Sequence, residues 1–448
     1  MPPPYEALRG ARIIATLPSI EENGGWFRQA ALQQIHAMRE HGAEVFPLDV
    51  SYVHAGDLYH LFNQLGSAFR EFRAEMVVST PTAMHALRCK TGNIVMGDGR
   101  YVQSNLFIDN LRLPTILIWD TMAELFATLG LPTLDPAASR SGVLADLRAQ
   151  INDPLCFHCA FDQQHVDTMR ALGVLTTPQV RVRLARAYPH HVAYGIEGSR
   201  EDGYDEAVAF AGNLFSKRPP RGEGPTREIL TRLFAHVIET FGRDPSVSYW
   251  DAVGAGMAEL GEEACRTAKL GHDESFFWEY LCVDIMSAVI THTRMNALRA
   301  SRHPVSVYGL MFDPESARML QHHPHLTAKG AADYITELPR LNRRTKVTLD
   351  VVTAHFPTST TAKILNCFAS GGLCLFDAKP AFRAAFGSPA EQVMYRGFDD
   401  MNAKLDYLLT HDRERLELVE YFKAKVAEEQ TFIGLLAELV AWVKEVRR

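Results

Sequence analysis

The sequence predicts an α/β protein made of two successive parallel-sheet domains. Three observations carry this prediction. The chain opens β–α–β: Ala11–Leu17 (ARIIATL) reads as a buried strand, Trp26–Glu40 as a helix closed by Gly42, and Ala43–Asp49 as a second strand. The pattern restarts near residue 200 with the apolar strand Ala207–Gly212 (AVAFAG). Further on, Arg343–Asp377 reads as one strand–loop–helix–turn–strand unit. It closes on Leu373–Phe376, an unbroken apolar run of the kind found in parallel strands buried on both faces.

Length and composition agree. At 448 residues the chain is long enough for two or three domains, each with its own core. Hydrophobic residues make up 47% and charged residues 22%, which is ordinary for a soluble globular protein. The net charge of −7, with no long basic run, argues against a general nucleic-acid partner. The N-terminal MPPPYEALRG has no apolar signal segment, and no apolar run approaches membrane-spanning length. Seven scattered cysteines fit a reducing cytoplasm. The expected limits are 1–200 for the N-terminal domain and 201–410 for the C-terminal domain, with a helical insertion at 228–300. Closing helices follow at 411–448.

In order along the first half, the loop Pro18–Gly25 follows the first strand. It is not GxGxxG, so a dinucleotide fingerprint is absent. Gly24 and Gly25 suit either close backbone approach to a ligand or a tight strand-to-helix turn. Leu58–Phe72 is helical, Glu75–Ser79 a third strand and Gly92–Asn105 loop-like. Leu113–Asp120 (LPTILIWD) is a strong strand with an acidic end. Pro154–Cys159 is a short strand, and the helix Asp162–Leu172 ends at Gly173. Cys156 and Cys159 have CxxC spacing without a second pair and fall on opposite strand faces, so they are read as core.

In the second half, Lys217 and Arg218 follow the strand Ala207–Gly212. Pro219, Pro220, Gly222, Gly224 and Pro225 then mark a boundary or hinge. Helices are expected at Glu228–Phe241, Trp250–Leu260, Glu263–Leu270 and Glu274–Ala300. The last carries Trp278, Leu281, Ile285, Val289 and Ile290 as a packing face. Val305–Gly309 resumes the strand pattern. The HHPH run within Leu320–His325 is interrupted by Pro324 and is not assigned to a metal. Val393–Tyr395 is a short strand, and Phe398–Thr410 and Asp412–Arg448 are helical.

The chemistry gathers in Thr353–Thr361, the polar loop between the strand Lys346–Val352 and the helix Ala362–Ser370. Thr358, Ser359, Thr360 and Thr361 bring hydroxyls to the helix start, where free N–H groups and the helix dipole favour an anion such as phosphate. Lys363 lies in the first turn, with Asn366 three residues on along the same face. An ordinary Ser/Thr cap is the alternative reading. Asp377 ends the following strand, on the side where open α/β sheets hold ligands.

These segments, in this order, resemble the two-Rossmann-domain (GT-B fold) glycosyltransferases, in particular the CgeB-like group. LPTILIWD is similar to that group's Pro–apolar–Trp–Asp strand, and AVAFAGNLFSKR to its Phe–x–Gly–Asn segment with a following base. VYG (Val307–Gly309), Gly330–Leu349, KILNCFASGGLCLFD and the closing GFDDMNAKLDYLLTHDRERLELVEYFKAKVAEEQTF also match in order. Two positions depart: Lys363 stands where the group usually has Arg, and Asn366 where it usually has the Glu that binds ribose hydroxyls. Lys keeps the charge without the guanidinium fork, and Asn keeps hydrogen bonding without charge.

The resemblance implies two Rossmann-like domains facing across a cleft and a cytoplasmic glycosyltransferase. Its co-substrate would be a nucleoside-diphosphate sugar, its acceptor an unidentified glycan, protein or small molecule. No cofactor is implied, and with no DxD triplet, no obligatory metal. Lys217, Arg218, Ser359, Thr360 and Lys363 would stabilise the departing diphosphate. Tyr308 and Gly309 would line the donor site, Tyr334, Glu337 and Leu338 the base-binding edge, and Asn366 the ribose. Asp120 and Glu22, each after a strand end, are candidates for a base, with solvated loop acids the alternative. A catalytically degenerate binding protein and another sugar-nucleotide reaction on the same fold are the competing readings.

Overall fold

The computed structural model describes residues 5–18, 26–50, 58–80, 84–87, 90–95, 101–119, 140–197, 203–214, 223–243, 247–271, 277–278, 280–309, 314–352, 354 and 356–448. The chain divides into two compact units. Unit 1 comprises Met1–Arg183 and Phe432–Arg448, and unit 2 comprises Leu184–Thr431. These limits differ from the expected 1–200, 201–410 and 411–448: the first link falls earlier, and the last helix belongs with the first unit.

Unit 1 is built on a six-stranded parallel sheet in the order β2-β1-β3-β6-β7-β8. The strands are β1 (Arg12–Leu17), β2 (Glu44–Asp49), β3 (Met76–Ser79), β6 (Thr115–Trp119), β7 (Cys156–Ala160) and β8 (Val180–Val182). Every residue of β3, β6 and β7 is buried, as continuous apolar runs require when helices cover both faces. The stretch expected to be loop at Gly92–Asn105 is instead largely an antiparallel hairpin, β4 (Lys90–Val95) with β5 (Tyr101–Asn105). Its polar strands lack the apolar alternation that marks a strand in sequence.

The last helix, Phe432–Val446, completes this unit. Trp442 meets Phe157 of β7 edge-on at 5.1 Å, and the Arg181 guanidinium lies 4.6 Å over the indole. Glu438 accepts from both Arg181 and Arg183, and Lys444 donates to the Ala7 carbonyl. The helical stretch expected over Asp412–Arg448 is two helices, Asp412–Glu429 and Phe432–Val446. It breaks where Thr431 pairs with Ala187 in an isolated bridge.

Unit 2 has its own six-stranded parallel sheet, ordered β11-β10-β9-β12-β13-β14. The strands are β9 (Glu206–Ala211), β10 (Val305–Tyr308), β11 (Leu326–Gly330), β12 (Thr345–Leu349), β13 (Cys374–Asp377) and β14 (Met394–Tyr395). Numbered within the unit this is the doubly wound order 3-2-1-4-5-6, whose direction of winding reverses between β9 and β12. A sheet of this order opens a crevice at the carboxyl ends of those two strands.

Between β9 and β10 the chain forms the helices Gly224–Arg243, Tyr249–Leu260, Glu262–Thr267 and Met286–Ala300. They pack as the sequence predicts, with Trp278, Leu281 and Ile285 fully buried. Tyr249, Trp250 and Trp278 form a ring chain, and Tyr280 donates its hydroxyl to the Leu230 carbonyl. Among the described residues, no helix is long and apolar enough to cross a membrane.

Candidate functional site

The site is built at the reversal point of the unit 2 sheet. β9 ends at Ala211, β12 hands over to Asp350, and β13 ends at Asp377. One lysine ties the first two together: Lys363 Nζ donates to the Ala211 carbonyl at 2.8 Å and to Asp350 Oδ1 at 2.7 Å. Lys363 comes from the first turn of the helix Ala362–Ala369, so the segment between β12 and this helix fixes its aim. Asp350, only 2% exposed, also accepts from the Val351 N–H.

Two further cations and one carboxylate join. Lys379 pairs with Asp377 at 2.8 Å and is itself buried, while Asp377 accepts from the Val352 N–H at 2.6 Å. Arg294, from the helix Met286–Ala300, donates to the Asn213 carbonyl at 2.8 Å, just past β9. Its guanidinium lies 6.0 Å from the Phe210 ring. Burial lowers the pKa of Lys363, Asp350 opposes that shift, and Arg294 adds to it. Burial likewise lowers that of Arg294, against the pull of Asp350 and Asp377. Among the described residues the cluster holds three cations and two carboxylates, one positive charge more than it pairs.

The hydroxyls ahead of the helix do not cap it. Thr361 sits at the N-cap in extended geometry and makes no side-chain cap bond. Thr360 is fully buried, and neither its Oγ1 nor that of Thr361 has a hydrogen-bond partner among the described residues. Buried hydroxyls without partners are uncommon and mark a place where a ligand or water completes the bonding. Ser359 is buried beside them.

Asn366 turns inward. Its Oδ1 accepts from the Tyr188 N–H at 2.8 Å and its Nδ2 donates to the Tyr334 hydroxyl at 2.6 Å, with the residue fully buried. The same helix is tied to the helix Pro189–Glu197 by His191 Nδ1 against Ser370 Oγ at 2.7 Å. Tyr334 is surrounded by the rings of Tyr188, His190 and His191 at 5.5 to 6.2 Å. Burial pushes His190 down to about 4, and burial together with His190 holds His191 well below its usual value, so both rings are neutral near pH 7.

The remaining sequence candidates fall as follows. The Tyr308 hydroxyl reaches Glu206, the first residue of β9, at 3.0 Å, away from the carboxyl ends. Gly309 follows β10 and lies against the chain just past β9: a Cβ there would sit 2.2 Å from the Gly212 carbonyl, and its φ is +150°. Glu337 accepts from the Asp333 N–H at 2.6 Å in a local turn, and Leu338 is buried. Thus Lys363 and Gly309 lie at the ends of β9, β10 and β12, Ser359 and Thr360 are buried just before the helix that carries Lys363, and Tyr334 joins Asn366. Lys217, Arg218, Asp120 and Glu22 lie outside the described residues. Sequence reasoning missed Arg294, Asp350 and Lys379. Asp350 had a signal, a lone acid closing an apolar strand; Arg294 had none, being one more basic residue on a long helix.

The comparisons with known proteins bear on this segment. A family model described as "Glycosyl transferase-like" matches residues 295–441, less than half of the chain. The match holds Asp350, Lys363, Asp377 and Lys379 and starts one residue after Arg294. Among solved structures, a glycosyltransferase from Rickettsia africae is similar at 7% identity, covering 98% of this chain and 99% of that one, with a TM-score of 0.49. Anabaena HepE in complex with UDP-glucose is similar at 9% identity, over 97% and 99%, with a TM-score of 0.49. Sucrose-phosphate synthase from Thermosynechococcus elongatus is similar at 10% identity, over 98% and 100%, with a TM-score of 0.48. No curated protein matches the chain.

Proposed function

We propose that the protein is a glycosyltransferase that takes a nucleoside-diphosphate sugar at the carboxyl edge of the unit 2 sheet. The observation that carries the reading is the cation-rich cluster around Lys363, at the reversal point between β9 and β12. The glycosyl transferase-like match over 295–441 supports it independently.

The chemistry follows from charge. The bond between the anomeric carbon and the diphosphate oxygen breaks, and its electron pair leaves with the diphosphate. An acceptor oxygen bonds to the sugar carbon and gives up its proton to a base, for which Asp120 and Glu22 are the candidates. Negative charge grows on the departing group, and cations and N–H groups fixed before the reaction stabilise it without reorganising. Lys363, held by Ala211 and Asp350, is such a cation, and Lys217 and Arg218 would add to it. The reading takes the reaction to be metal-independent and cytoplasmic.

A thermal-shift titration with nucleoside diphosphates and their sugars tests the reading. At least one should raise the melting temperature, and the matching sugar nucleotide should slowly release its diphosphate without acceptor, undiminished by a chelator. Absence of any shift with every nucleotide and with pyrophosphate would sink it. Binding without release favours the second reading, a catalytically degenerate binding protein. The observation on its side is that Asn366 spends its amide on Tyr188 and Tyr334.

A further inference from the structure

Arg294 is an unusual residue to find at the end of a buried sheet. It lies in the third turn of the helix Met286–Ala300, which buries Val289, Ile290, Met295 and Leu298. Its side chain does not follow them into the helix bundle. It runs to the carboxyl end of β9, where one Nη donates to the Asn213 carbonyl. No carboxylate pairs with it directly among the described residues. Asp350 and Asp377 act on it only through their charge, and each is already taken, by Lys363 and Lys379 respectively. Its Nε–H is buried and has no hydrogen-bond partner among the described residues.

A guanidinium presents five donors and binds phosphate through a fork. Burying one with a donor unmet is costly unless something completes it. Two residues before the helix that carries Lys363 is the unmet hydroxyl of Thr360, and among the described residues the cluster has one more cation than carboxylates. Phosphoryl oxygens satisfy all three deficits at once. A carbonyl or hydroxyl ligand would meet the donors and leave the charge.

We propose that Arg294 is a phosphate-contacting residue of the unit 2 site, supplied by the helical segment between β9 and β10. The proposal rests on the reading of that site as a diphosphate site, and it adds a residue outside the segment matched to the glycosyl transferase-like family. It also ties the helical insertion expected at 228–300 to donor binding. Through Arg294, whatever settles the helices Gly224–Arg243 and Tyr249–Leu260 acts on donor affinity, and donor binding steadies those helices in return.

Calorimetric titration with inorganic pyrophosphate tests this on the full chain. Arg294→Gln should weaken binding at least tenfold, and Arg294→Lys, which keeps charge but not the fork, should fall between. Equal affinity of the wild type and a folded Arg294→Gln protein would overturn the proposal while leaving the diphosphate reading intact. No pyrophosphate binding by the wild type would remove both. Because Arg294→Gln risks misfolding, amide hydrogen exchange on the wild type supplies the second measurement. Pyrophosphate should slow exchange across Met286–Ala300, and unchanged exchange there would also overturn the assignment.

Discussion

Asn366 Nδ2 lies 2.6 Å from the Tyr334 hydroxyl, and the same amide takes the Tyr188 N–H on its oxygen. A residue that the sequence sets facing a ligand is thereby the clasp between three segments of unit 2. Asn366→Ala leaves a buried N–H without its acceptor and should destabilise the protein by about 1–3 kcal/mol in chemical denaturation. Affinity for nucleoside diphosphate and for pyrophosphate should then change together. A loss confined to the nucleoside diphosphate would instead make Asn366 a ribose contact.

Lys363→Met strands Asp350 in a nearly dry position, and breaking a buried pair from one side costs about 3–5 kcal/mol. The double variant Lys363→Met with Asp350→Asn should recover much of that stability and none of the pyrophosphate affinity. Denaturation and calorimetry on the four proteins of the cycle check both halves. Restored binding in the double variant would show that the lysine charge is dispensable.

Stability should fall as the solution is acidified through the histidine range. His190 is held down to about 4 by burial, and unfolding frees it to titrate near 6.5. The folded state therefore binds fewer protons than the unfolded one. The contribution is fully present above about pH 6.5 and is lost as pH falls towards 4, up to about 3 kcal/mol for this ring. His191 acts in the same direction, and His158 does so in unit 1. His190→Phe should flatten the denaturation midpoint against pH between 6.5 and 4; an unchanged slope would clear this ring.

Gly309→Ala should be poorly tolerated. The added Cβ meets the Gly212 carbonyl at 2.2 Å, a backbone atom that cannot swing aside, and φ of +150° strains any other residue. A loss of about 3 kcal/mol or more is expected from melting curves. Gly254→Ala, with nothing near its Cβ and in mid-helix, is the control and should be neutral or slightly stabilising.

The framework of both sheets could be read because β1, β6, β9 and β13 are dominated by apolar residues, a pattern that leaves little choice of structure. The polar hairpin of β4 and β5 could not, and nor could β11, where four of five residues are exposed. In such edge segments backbone pairing makes the strand, and side-chain pattern records little of it. Within the site, Lys363 was legible because it stands in the first turn of a helix after a hydroxyl-rich loop. Asn366 stands on the expected helix, with its amide on Tyr188 and Tyr334. Helical spacing gives a residue's face, and what that face meets depends on Tyr188, which is 178 residues away along the chain.

The helix Phe432–Val446 belongs with Met1–Arg183, although all of unit 2 lies between them in sequence. On the ribosome this sets an order. β7 is synthesised with Phe157 waiting for Trp442, and nearly three hundred residues must pass before that ring exists. Unit 2, contiguous from Leu184 to Thr431, has every one of its strands available sooner. The part of the protein made first is thus the last whose core can close. A chain interrupted late in synthesis would carry a complete second unit and an unfinished first one, with its apolar seam at Phe157 open to chaperones.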